Sequence, residues 1–105
     1  MLTVGHAADG TEITAPLEQE FEIQLPENPT TGYRWHLADG SSETLQVVDE
    51  HFDTATAAVG AAGQRRWTVR ATAPGSHPFR LEERRSWEQK PIRTFSLTVK
   101  VASPP

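Results

Sequence analysis

Apolar and polar residues alternate with period two along most of this chain, the pattern of strands that bury one face. Phe21, Ile23 and Leu25 share one parity while Glu22 and Gln24 take the other. Tyr33-Arg34-Trp35-His36-Leu37 and Trp67-Thr68-Val69-Arg70-Ala71 repeat the pattern, as do Phe79-Arg80-Leu81 and the segment Phe95 to Val101. The segment from Leu45 to Phe52 is less regular but apolar enough for a strand. Strands are therefore expected at about 18–25, 33–38, 45–53, 64–73, 77–85 and 92–101, with short edge pieces at Ile13-Thr14 and Leu2-Thr3-Val4. No window of roughly 11 residues carries helical spacing. Turn residues punctuate the strands at Asp9-Gly10, Pro26 to Gly32, Asp39-Gly40, Gly60 to Gly63, Pro74-Gly75 and Glu88 to Pro91. The expectation is an all-β sandwich or small barrel.

Parity then sorts the connections. If consecutive strands run antiparallel, successive loops alternate between the two ends. The loops at 26–32, 54–63 and 85–91 then share one end, and the short turns around Asp39-Gly40 and Pro74-Gly75 share the other. Longer, chemically unusual loops gathered at one end are what a binding surface requires.

Composition narrows the function. The 105 residues suit a single domain, with Ser103-Pro104-Pro105 as a loose tail, because half that length would give a marginal core. A formal charge of −4 excludes the basic stripe that nucleic acid needs. The doublets Arg65-Arg66 and Arg84-Arg85 read as mixed, solvated strand edges. With no cysteine, there is no disulfide, no thiolate metal site and no thiol enzyme. No apolar run approaches the ~20 residues of a membrane span. Met1 leads directly into strand-like sequence without a signal peptide, so the chain as it stands is expected in the cytoplasm, or exported if a leader has been removed.

The three loops carry the candidate chemistry. Asn28-Pro29-Thr30-Thr31-Gly32-Tyr33 is stiffened by a proline that also pushes Asn28 towards an extended conformation, and Gly32 is free to take positive φ. A stiff loop loses little entropy on docking, although a plain structural turn fits the same residues. Gly60-Ala61-Ala62-Gly63 has side chains small enough for a partner to approach the backbone; alone, it also reads as a flexible loop with no partner. Arg85-Ser86-Trp87 sets a tryptophan among polar neighbours, unlike Trp35 and Trp67 on core-like parity. Trp and Arg are enriched in interface hot spots, so Trp87 is read as a partner contact, with burial under the rim as the alternative.

Together these motifs resemble the chagasin family of cysteine peptidase inhibitors. Leu25-Pro26 and then Asn28 to Tyr33 with Trp35 is similar to the family's NPTTG[YF]-x-W signature; Gly60 to Gly63 resembles its glycine-rich loop, and Arg85-Ser86-Trp87 its R-P-W loop. Two positions depart: Ser86 stands where the family usually has proline, and Ala62 where glycine is common. The resemblance implies an immunoglobulin-like β-sandwich of about seven to eight antiparallel strands, monomeric when free and needing neither cofactor nor metal. It also implies reversible, competitive, non-covalent inhibition of papain-like peptidases. The Thr31 loop would lie over the catalytic Cys–His pair, Gly60–Gly63 along the non-primed groove, and Arg85 and Trp87 on the primed-side rim.

Two other classes fit the sequence less well. An enzyme is disfavoured because His6, His36, His51 and His77 lie far apart and no HExxH or G-x-S-x-G motif occurs. An immunoglobulin-like adhesion or carbohydrate-binding module shares the fold, but it has no reason to carry all three loop motifs.

Overall fold

The alternating segments form strands in a computed structural model that describes residues 2–28, 31–38, 44–54 and 63–102. In chain order they are β1 (Thr3–Val4), β2 (Thr11–Ala15), β3 (Glu20–Glu27), β4 (Arg34–Leu37), β5 (Leu45–Thr54), β6 (Gly63–Ala71), β7 (Gly75–Arg84) and β8 (Arg93–Val101). A 3-10 turn, His6–Ala8, lies between β1 and β2. Among the described residues two four-stranded sheets result, ordered β1-β3-β6-β5 and β2-β8-β7-β4. The inward parity of each sheet fills one cluster: Phe21, Ile23, Leu25, Trp67 and Val69 from the first meet Trp35, Phe79, Leu81, Phe95 and Val99 from the second. Burying one such side chain contributes about 1.5–3 kcal/mol, which lets a cysteine-free fold stand on its core. The fold is the all-β, immunoglobulin-like sandwich that was expected.

Three details differ from the sequence reading. β1 joins β3, and β2 joins β8, in parallel rather than antiparallel register. A hairpin forces antiparallel pairing, but neither edge strand is linked to its neighbour by one, so direction is free. Second, β3 runs on through Pro26 and Glu27, which pair with Gln64 and Gly63. β1 reaches only Glu22 and Ile23, so β3 is an edge strand by Pro26 and tolerates the missing N–H. Third, Arg65, Arg66 and Arg84 do not lie on a sheet edge, because β6 and β7 are both interior strands, and Arg85 lies past the end of β7 in the loop. Arg65 takes the inward parity of Trp67, and only 18% of its side chain is exposed.

Register fixes the polarity of the sandwich. Glu27 lies beside Gly63, and Gly63 beside Thr54. In the other sheet Arg34 faces Arg84 and Glu83 faces Arg93. The loops after β3, β5 and β7 therefore leave from one end, while the β4–β5 and β6–β7 connections lie at the other.

Candidate functional site

The first loop is closed by its own threonine. The Thr31 hydroxyl donates to the Asn28 carbonyl at 2.9 Å and accepts the Tyr33 N–H at 3.3 Å, while the Thr31 N–H also reaches the Asn28 carbonyl at 3.3 Å. Gly32 follows at φ +80°, a left-handed conformation that side chains disfavour. Thr31 is left exposed on the crest. Below it, the Trp35 indole N–H donates to the Pro26 carbonyl at 3.0 Å, tying the loop's two arms together.

The third loop leans on the first. A Cβ at Gly32 would lie 3.8 Å from the Trp87 ring and 3.9 Å from the Arg85 side chain, ordinary contact distances, so the two loops lie side by side and it is the positive φ rather than crowding that calls for glycine. The Arg85 guanidinium sits over the Tyr33 ring at 4.5 Å and over the Trp87 ring at 5.8 Å, a cation shared by two aromatic faces. A turn holds this loop, with the Glu88 N–H donating to the Arg85 carbonyl at 3.0 Å and Arg84 donating to the Glu88 carbonyl at 3.1 Å. Trp87 emerges 74% exposed, a large aromatic surface on a braced backbone.

The structure thus gathers Asn28, Thr31, Gly32, Tyr33, Arg85, Ser86 and Trp87 into one continuous surface. Gly63 belongs to the same end but sits buried in the strand ladder at the root of its loop. A Cβ there would collide with the Asp53 carbonyl and the Phe52 ring, so its glycine serves packing rather than loop freedom. Pro29, Thr30, Gly60, Ala61 and Ala62 lie outside the described residues.

A groove of about 470 Å³ flanks the first loop, lined by Asn28, Thr31, Tyr33, Ile92 and Arg93 among others. Ile92 is 54% exposed and is not among the candidates, because the sequence places it in the strand 92–101, just past the third loop at 85–91. The arrangement offers shape, aromatic surface and backbone. Among the described residues no group of three or more His, Asp or Glu side chains could hold a metal, and no helix is long and apolar enough to cross a membrane.

Residues 14–99 match the model of the chagasin family peptidase inhibitors, I42. The chain belongs to the chagasin family. Chagasin of Trypanosoma cruzi is 33% identical to it over 89 residues, covering 80% of this chain and 81% of chagasin. Among solved structures, the cysteine protease inhibitor EhICP2 of Entamoeba histolytica superposes with a TM-score of 0.84 at 20% identity, over 96% of this chain and 95% of that one. PbICP-C, solved in complex with falcipain-2, superposes with a TM-score of 0.65 at 14% identity, over 95% and 89%. At those identities the two structures speak for the fold. Membership of the chagasin family makes this chain a cysteine protease inhibitor and not an enzyme.

Proposed function

We propose that this chagasin-family inhibitor blocks papain-like cysteine peptidases reversibly and competitively, without a covalent step, by seating the β3–β4, β5–β6 and β7–β8 loops in the active-site cleft. The observation that carries the reading is the joint surface of Thr31 and Trp87, both exposed and held together through Arg85 and Gly32. A papain-like enzyme cleaves an extended peptide whose carbonyl lies at the oxyanion hole with the thiolate behind it. The Asn28–Thr31 turn, closed by two hydrogen bonds to one carbonyl, covers such a centre without presenting an extended scissile bond. Trp87 and Arg85 supply the residue types that dominate interface energetics. PbICP-C, which shares the fold, is solved on falcipain-2, and that supports a peptidase of this class as the partner. Residues 60–62 are assigned to backbone contacts along the non-primed groove, with the buried Gly63 rooting them in the strand ladder.

Titrating papain with the purified protein tests this directly. Activity is expected to fall linearly to a stoichiometric end point, with inhibition relieved by substrate and full activity recovered on dissociation. Undiminished papain and cathepsin L activity under a large excess of folded protein contradicts the proposal.

A further inference from the structure

Charged residues occupy the inward parity of both sheets where the strands meet the loop end. Glu27 continues the series Phe21, Ile23, Leu25, and Arg65 continues Trp67, Val69, Ala71. Glu27 is 2% exposed and fully engaged: one carboxylate oxygen accepts Arg65 Nη2 at 2.8 Å and Nε at 3.2 Å, and the other accepts the Trp35 N–H at 3.0 Å. The second sheet repeats the device. Glu83, 4% exposed, lies opposite Arg93 and accepts its Nε at 2.7 Å. The two pairs meet at Trp35, whose N–H is held by Glu27 and whose ring carries the Arg93 guanidinium at 5.5 Å.

A buried carboxylate paired with arginine is no more stabilising than well-packed apolar residues of the same volume, so the buried Glu27–Arg65 pair and the buried Glu83 with its half-exposed Arg93, capping an otherwise apolar core, call for another explanation than stability. Their placement provides one. Glu27 and Trp35 flank the first loop, Arg65 lies two residues beyond the second, and Glu83 and Arg93 flank the third. Each pair has fixed donor and acceptor geometry, which apolar packing lacks.

We infer that Glu27–Arg65 and Glu83–Arg93, joined through Trp35, form one brace under the loop end that sets the positions of the loops relative to one another. The four charged side chains are positioning residues: Glu27, Arg65 and Glu83 lie beneath the exposed surface and act through Thr31 and Trp87, while the half-exposed Arg93 closes the brace at its rim. The effect on inhibition rests on the reading given under Proposed function; the brace itself does not.

The test is Glu27→Gln, followed by amide hydrogen exchange and by titration of papain. Exchange at Thr31 and Tyr33 should quicken at least tenfold while Val69 and Val99, in the strand ladders, stay unchanged. The inhibition constant should rise at least tenfold, and combining Glu27→Gln with Thr31→Ala should cost less than the product of the single changes. Arg93→Gln, at a partly exposed position, keeps the test open if Glu27→Gln does not fold; its quickening is expected at Glu88 and Ile92. Unchanged loop exchange in a folded variant, or an equal quickening at every amide, overturns the brace. If the unaltered protein does not inhibit papain, the functional reading fails, and the exchange pattern still decides the brace.

Discussion

Trp87→Ala separates binding from folding more cleanly than any other change to this surface. The side chain is 74% exposed and its described contacts are with Gly32 and Arg85. Truncating it removes little from the folded state, about 0.5–1 kcal/mol for the exposed cation–π contact. The area it offers a partner is larger. An indole buries about 150–250 Å², so three quarters of that leaves about 110–190 Å² to cover, worth about 3–5 kcal/mol at ~25 cal/mol per Å². Ordering the side chain on docking offsets about 0.5–1.5 kcal/mol. The net of about 1.5–4.5 kcal/mol corresponds to an inhibition constant raised roughly 10- to 2,000-fold. The assay is a tight-binding titration of papain at several substrate concentrations, run beside a thermal melt. A Trp87→Ala protein that melts within a few degrees of the parent and inhibits equally well refutes the assignment of Trp87. So does one whose weaker inhibition is matched by unfolding.

Other changes follow from the same geometry. Arg85→Ala removes the cation between Tyr33 and Trp87, so inhibition should weaken roughly 5- to 30-fold with a small loss of stability, read by the same titration and melt. Ser86 is the second residue of the turn that the Glu88 N–H closes onto the Arg85 carbonyl, a position that favours proline. Ser86→Pro should therefore raise stability by about 0.4–1 kcal/mol and leave inhibition equal or tighter, and a denaturant melt showing a loss larger than that gain contradicts the turn assignment. Gly63→Ala forces a methyl group into the Asp53 carbonyl and the Phe52 ring; a penalty of about 1–3 kcal/mol should appear as a melting temperature lower by roughly 5–20 °C.

Most of the strands were legible because burial obeys parity. Phe21, Ile23, Leu25 and Phe79, Leu81 alternate in sequence and in the core alike. Trp87 could be told from Trp35 and Trp67 on the same ground, since it sits outside any alternating run. Alternating loop ends followed from antiparallel pairing of β3 to β8, and register bears that out for the loops after β3, β5 and β7. The reading broke down where polar groups are buried in pairs. Glu27 and Arg65 each look like surface residues alone, and their partnership spans 38 positions, so the sequence pattern ends the strand at Leu25 and puts the arginine in solvent. The signal was present in their parity, which matches the apolar residues on the same strands. The parallel edge pairings had no comparable signal, because no turn residue dictates the direction of β1 or β2. Pro29, Thr30 and Gly60 to Ala62 were named from the sequence and lie outside the described residues.

The central claim is that the end of the sandwich carrying Thr31 and Trp87 is the face that meets the peptidase. Amide and indole NMR shifts of the labelled inhibitor, recorded with papain whose thiol carries a small blocking group, test that claim most directly. Perturbation should concentrate at Thr31, Gly32, Tyr33, Ser86 and the Trp87 indole, while Thr72 and Gly75 at the far end stay unmoved. Shifts clustered at the far end, or spread along the outer faces of the sheets with Trp87 silent, contradict it.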